Sequence, residues 1–138
     1  MIANRSSPSA TVIPVLAYAD VTEAAAWQCQ AFGFAVRLRV GTHRAQLVFG
    51  DGAVIVTDRE RVADPLPGDS SHSVHVRVRD ADEHHARATR AGARIIRPPT
   101  DYPFGERQYT AEDPGGHRWT FSQSIADVDP SSWGGSAP

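Results

Sequence analysis

Cysteine is nearly absent from this sequence: Cys29 is the single one in 138 residues. No disulfide can close within the chain, and no all-thiolate metal site can be assembled. Cys29 falls in an Ala-rich helical stretch, where a small core or near-surface residue is the simplest reading, and no neighbouring base marks it as a nucleophile. Long apolar runs are missing too. Nowhere do about eighteen apolar residues follow one another, so no membrane-spanning helix is expected. The first ten residues are polar and Pro-containing, without the apolar centre of a secretory leader, which predicts a cytoplasmic protein with no membrane partner. Runs of one charge are also lacking. Fourteen Lys and Arg against sixteen Asp and Glu leave a net charge of −2 with no basic stripe, which argues against a nucleic-acid partner. Small uncharged or mixed-charge ligands suit that balance better.

What is present is repetition. Two segments match at an offset of about sixty residues, the kind of self-similarity that must be checked before any motif is trusted. Val12 to Tyr18 is an apolar, β-rich run followed by Asp20-Val21-Thr22-Glu23, in which Asp20 can cap a helix and Glu23 occupies its third position. That helix ends at Gly33. Val74 to Val78 alternates with period two, and Asp80-Ala81-Asp82-Glu83 repeats the cap before a helix that ends at Gly92. Three further strands follow each helix: Phe34 to Val40, Arg44 to Phe49 and Ala53 to Thr57 in the first half, then Arg94 to Arg97, Arg107 to Glu112 and His117 to Gln123 in the second. Asp51-Gly52 and Asp113-Pro114-Gly115-Gly116 supply hairpin turns.

The expected organisation is α+β: a flexible N-terminus over residues 1–10, a first βαβββ module over 11–58, a linker over 59–71, a second module over 72–124 and a polar tail over 125–138. One βαβββ unit leaves a sheet face uncovered by its helix and cannot bury itself. Pairing the two bare faces would curl eight strands around a central cavity with the helices outside, and a ligand belongs in that hollow.

These segments resemble the vicinal oxygen chelate superfamily, which includes glyoxalase I, extradiol dioxygenases, fosfomycin-resistance enzymes and bleomycin-resistance proteins. The resemblance covers Val12 to Gln123. It is most specific in the Ile13-Pro14-Val15-Leu16 start, the Ala31-Phe32-Gly33-Phe34 helix end and Phe104 to Trp119 with its Asp-Pro-Gly-Gly-His turn. In metal-dependent relatives, donors on the first and last strands of each module chelate one divalent ion. The corresponding positions here fall near Ile13, Val56, Ser73 and Thr120, two of them aliphatic, which is no ligand set for a divalent ion. Sliding the second module's register brings in His75 or His117, yet Thr11 to Tyr18 and Ala53 to Val56 contain no His, Asp, Glu or Gln. No metal and no cofactor are therefore expected, and the branch implied is the metal-free one related to bleomycin-resistance proteins.

Alternation along Val74 to Val78 turns Ser73, His75 and Arg77 away from the helix, where Arg and His could orient a carboxylate, phenol or carbonyl. An ordinary solvated sheet face would look the same. Arg118, Thr120 and Ser122 share one face of the last strand, with Trp119 and Phe121 opposite as core. Tyr102 and Phe104 sit on a Pro/Gly-bounded loop that either lids a ligand or packs against a partner subunit or the linker. Trp27 and Phe32 read as core or dimer contacts, and the adjacent His84-His85 as solvated. The expected ligand-binding set is Ser73, His75, Arg77, Tyr102, Phe104, Arg107, Tyr109 and Thr120, with no residue assigned as catalytic. The function implied is sequestration of a planar, partly aromatic compound such as an antibiotic, by a homodimer. The competing possibility is a metal-independent isomerase or lyase using Glu106, His75 or Tyr109 as acid or base, and whether the protein is an enzyme stays open at this point.

Overall fold

The structure, a computed structural model, describes residues 3–59 and 72–135, so the expected linker lies outside the described residues apart from Arg59. Contacts divide the chain into two compact units, residues 1–69 with 114–117, and residues 70–113 with 118–138. Each carries a βαβββ module. Among the described residues no helix is long and apolar enough to cross a membrane.

In the first unit, β1 (Val15–Tyr18) leads into α1 (Val21–Phe32), followed by β2 (Ala35–Val40), β3 (Arg44–Phe49) and β4 (Gly52–Asp58). Asp20 caps α1 as its sequence spacing predicts, accepting the Glu23 N–H at 2.9 Å, and Gly33 ends it at φ 84°. The sheet runs β1-β4-β3-β2, with β1 parallel to β4 and the other pairs antiparallel. Strand β1 begins at Val15 because Pro14 has no N–H; Pro14 instead accepts from Ile55 at 2.9 Å. Leu16, Tyr18, Ala45, Leu47, Val54 and Val56 are buried with Ala25, Ala31 and Phe32 of the helix. Residues ahead of β1 are not the loose lead-in that their composition suggests. Arg37 donates to Gln46 Oε1 at 2.6 Å and to the Arg5 carbonyl at 2.8 Å, while Gln46 donates to the Ser6 carbonyl at 2.9 Å.

The Pro114–His117 turn belongs to this unit. His117 Nε2 lies 2.8 Å from the Ala17 carbonyl on edge strand β1, its ring sits 4.8 Å from Tyr18, and Arg59 donates to the Gly115 carbonyl at 3.0 Å. A Cβ on Gly115 would stand 2.5 and 2.6 Å from the Tyr18 ring, so glycine is required here by packing. Gly115→Ala is expected to cost about 1–3 kcal/mol of stability, as overpacking does. Urea unfolding checks this, and an unchanged midpoint would contradict the close packing.

The second unit repeats the plan with β5 (Val74–Arg77), α2 (Ala81–Arg90), β6 (Arg94–Tyr102), β7 (Glu106–Glu112) and β8 (Arg118–Ser124) in the order β5-β8-β7-β6. Asp80 caps α2 through the Glu83 N–H at 3.0 Å. Strand β6 runs five residues beyond the expected Arg97 because Pro98 and Pro99 occupy an edge strand, where the missing donors cost no ladder bond; the register shifts around them. Tyr102 is therefore a strand residue, and the turn proper spans 103–105. Under α2, Tyr109, Trp119 and Phe121 are fully buried, with Phe121 stacked on Tyr109 at 5.1 Å. His84 and His85 are not solvated as their adjacency suggests. His84 hydrogen-bonds the Tyr109 hydroxyl and lies 4.2 Å from the Phe121 ring, and His85 packs edge-on against Tyr109 at 5.2 Å.

Candidate functional site

Register fixes which side chains share the face of the second sheet that points away from α2. His75 pairs with Thr120 and Arg77 with Ser122; Gln108 pairs with Ser122, Thr110 with Thr120 and Glu106 with Ser124. On the outer side of β7, Tyr102 pairs with Glu106 and Arg97 with Thr110. Partners in register project to the same side, so these rungs form one polar face.

The face is internally bonded. Ser122, only 1% exposed, donates to Glu106 Oε1 at 2.7 Å and accepts from Gln108 Nε2 at 3.0 Å. The Thr110 and Thr120 hydroxyls are 3.2 Å apart, and Arg97 donates to the Tyr102 hydroxyl at 2.7 Å. Desolvation pushes the Glu106 carboxyl up, but hydrogen bonds from Ser124 and Ser122 and the nearby Arg77 and His75 outweigh it and hold the group below its usual range. Glu106 is thus a fixed carboxylate at neutral pH. His75 and Arg77 are exposed at its side.

Four of the expected ligand-binding residues come together here: His75, Arg77, Tyr102 and Thr120. Ser73 is exposed just ahead of β5. Phe104 lies in the turn after β6, its ring stacked on Tyr102 at 5.3 Å and 11°. Arg107 and Tyr109 do not join them. Strand alternation turns both toward α2, where Arg107 bonds Asp82 at 2.9 Å and Asp101 at 2.8 Å. Tyr109 is wholly buried with its hydroxyl engaged by His84, and desolvation raises its phenol well above the ordinary range, so it stays protonated and out of reach of a ligand on the opposite face. Glu106, Gln108, Thr110 and Ser122 take their place. Counting back from the Asp113–Gly116 turn would have found them, since Thr110, Gln108 and Glu106 then fall opposite Thr120, Ser122 and Ser124.

The first unit's sheet offers different chemistry. Its face away from α1 presents Val15 and Ala17 of β1 in register with Ile55 and Thr57 of β4. Val56, one residue off, is fully buried on the helix side. Gln46 on β3 shares this face, where it is buried like Ile55 and Thr57, and its amide is engaged by Arg37 and the Ser6 carbonyl. On this face the first and last strands of the module therefore supply no carboxylate or imidazole, Asp58 standing on the Tyr18 rung of the other side, and the residues do not fit the divalent-ion centre of the metal-dependent relatives. Among the described residues there is no cluster of three or more His, Cys, Asp or Glu that could hold a metal.

A concavity of about 210 Å³ in the first unit is lined by Tyr18, Asp20, Glu23, Trp27, Arg59 and Gly115 among others. Nothing local in the chain announces it, because it depends on the Gly115 turn meeting the start of α1. Trp27 forms one wall and also meets Phe32 edge-on at 4.9 Å.

A duplicated βαβββ chain with an open, hydrogen-bonding sheet face defines a known class. Residues 11–121 match the model of the Glyoxalase/Bleomycin resistance protein/Dioxygenase superfamily, and the chain belongs to it. Among solved structures it is similar to TioX from Micromonospora sp. ML1, at 38% identity and a TM-score of 0.72, covering 83% of this chain and 98% of that one. It shares the fold of a glyoxalase/bleomycin resistance protein/dioxygenase from Nocardioides, at 18% identity and a TM-score of 0.67, over 96% and 91% of the two chains. An uncharacterized protein of Mycobacterium bovis is 32% identical over 62 residues, 45% of this chain and 41% of that protein. A counterpart from Mycobacterium tuberculosis strain H37Rv matches equally over 36% of its length, so the chain spans less than half of these curated relatives.

Proposed function

We propose that this protein binds a planar, partly aromatic small molecule, such as an antibiotic of the kind met by bleomycin-resistance members of its family, and holds it unchanged without a metal. One observation carries the reading: the second sheet's face away from α2 is a bonded array of donors and acceptors around Glu106, flanked by exposed His75 and Arg77. Such an array suits capture. Apolar burial contributes about 25 cal/mol per Å² and pre-positioned polar groups fix orientation. Arg77 and His75 are the anchors for an acceptor oxygen, and the stacked Tyr102 and Phe104 offer flat apolar surface. The working form is a homodimer in the cytoplasm. Strand β2 is a sheet edge with Val36 and Val40 at 36% and 41% exposure, the sort of edge a second copy covers.

The test is calorimetric titration of the full chain with bleomycin and with planar aryl acids, with and without EDTA, followed by mass spectrometry of the recovered compound. Saturable binding, indifferent to EDTA, with the compound unaltered after hours is the expected result. Affinity that EDTA abolishes and zinc restores, or catalytic conversion to product, would overturn it. A metal-independent isomerase or lyase is the second reading, favoured by the place of Glu106: it lies beside Arg77 and His75, which can orient a substrate carbonyl, while its lowered pKa makes it the weaker base. Multiple turnovers lost in Glu106→Gln would establish that alternative.

A further inference from the structure

The second unit carries three aromatic rings next to its polar face. Tyr102 lies on the rung that holds Glu106, Phe104 stacks on Tyr102, and Trp133 meets Phe104 at 5.4 Å and 57°. They differ in what they offer. Tyr102 and Phe104 are half-buried and engage one another, and the Tyr102 hydroxyl is taken by Arg97. Trp133 is 47% exposed, the largest apolar side chain left open to that degree among the described residues.

Its position is built by the chain after β8, which the sequence suggests is only a polar tail. The Ile125 and Ala126 N–H groups both reach the Gly105 carbonyl, at 2.8 and 3.3 Å. Gly105 sits at φ 83°, and a Cβ there would collide with the Ala126 carbonyl and press on Val128, so this residue must be glycine for the strap to lie down. Asp129 then caps a short 3₁₀ turn, Pro130–Trp133, by accepting the Ser131 N–H at 3.0 Å, and the Gly135 N–H closes it on the Pro130 carbonyl at 2.8 Å. An exposed indole carried on a backbone pinned by those bonds, with its ring against Phe104, is pre-organised surface. Large rigid aromatic area with little rotamer entropy to lose is what a flat ligand stacks on.

We propose that Trp133 is the outer stacking plate of the binding site, presented by a C-terminal strap pinned to the Gly105 turn, and that it selects flat aryl ligands carrying an acidic oxygen, which the cations of this face attract. This rests on the binding reading above. The charge balance supports the acidic oxygen: Arg77 and Arg97 on this face outnumber Glu106, whose carboxylate is already served by Ser122.

Calorimetry of the full chain with 2-naphthoate, and with cyclohexanecarboxylate as the non-aromatic control, tests it on the wild type, Trp133→Ala and Trp133→Phe. Naphthoate affinity should fall roughly 5- to 20-fold in the Ala variant and stay within about threefold in the Phe variant, which keeps a plate. The control's affinity should be alike in all three, and the melting temperature should barely move because the indole is half exposed. On adding naphthoate, the Trp133 indole N–H resonance, assigned from its loss in Trp133→Phe, should shift. Equal naphthoate affinity in the wild type and Trp133→Ala overturns the proposal while leaving the binding function standing. Equal losses for naphthoate and the control overturn it as well, since the strap would then act through structure and not stacking. A wild type that binds no planar aryl compound removes the binding function itself, and this inference with it.

Discussion

Trp119→Ala should lower the unfolding free energy by about 3–5 kcal/mol, the range for emptying a large aromatic from a packed core. Trp119 is fully buried under α2, its ring parallel to Phe121 at 6.1 Å and 2°. Its indole N–H donates to Asp113 Oδ2 at 3.0 Å, and Asp113 is itself only 3% exposed. Truncation therefore opens a void and withdraws a donor from a buried carboxylate in one step. Against a total stability of about 5–15 kcal/mol for a domain, that places the variant near its unfolding threshold. Trp119→Phe keeps most of the ring and forfeits the hydrogen bond, so about 1–2 kcal/mol is expected. Urea denaturation of both variants separates the contributions. If the two lose equally, packing is not what the indole supplies.

Arg77→Met is expected to weaken binding of a planar aryl acid about 10- to 100-fold while changing a neutral analogue of the same shape little. Hydrogen bonds to charged groups contribute about 1.5–3 kcal/mol, and methionine retains much of the apolar stem while lacking the forked donor. Arg77 is exposed and near Glu106 but at the end of β5, so its replacement should leave the fold intact. Paired titrations of the acid and its neutral amide read the difference. Equal losses for both compounds would assign Arg77 a packing role and take it out of the anchor set.

The module plan was legible because it rests on local signals: two Asp caps three residues before a Glu, glycines after both helices, and alternating strands separated by turn residues. Membership in the superfamily followed from the same segments and the Asp113–His117 turn. The site was half legible. His75, Arg77 and Thr120 were found by alternation within single strands, but Arg107 and Tyr109 were placed on the wrong side of β7. Tyr109 is polar in composition and core in practice, since its hydroxyl is met by His84 while its ring joins Phe121. Strand β6 was cut short at Pro98, because proline argues against a strand unless the strand is known to be an edge, and edge position is a property of the assembled sheet. Trp133 was invisible for a related reason: nothing local to Asp129–Trp133 announces the Gly105 carbonyl it depends on.

The turn at Pro114–His117 bears on how this duplicated chain comes into being at the ribosome. Its residues complete the first unit, with His117 meeting Ala17 across 100 positions of sequence and Gly115 seated on Tyr18. By the time residue 69 has emerged, strands β1 to β4 can pair, yet the edge of β1 still waits for a segment that lies beyond the second helix. Early folding of the first half is therefore provisional, and its last contacts are made only as the final hairpin of the second half is synthesised. A first half cut off before residue 114 would lack those contacts, so the seam between the repeats in sequence is not the seam between the units in space.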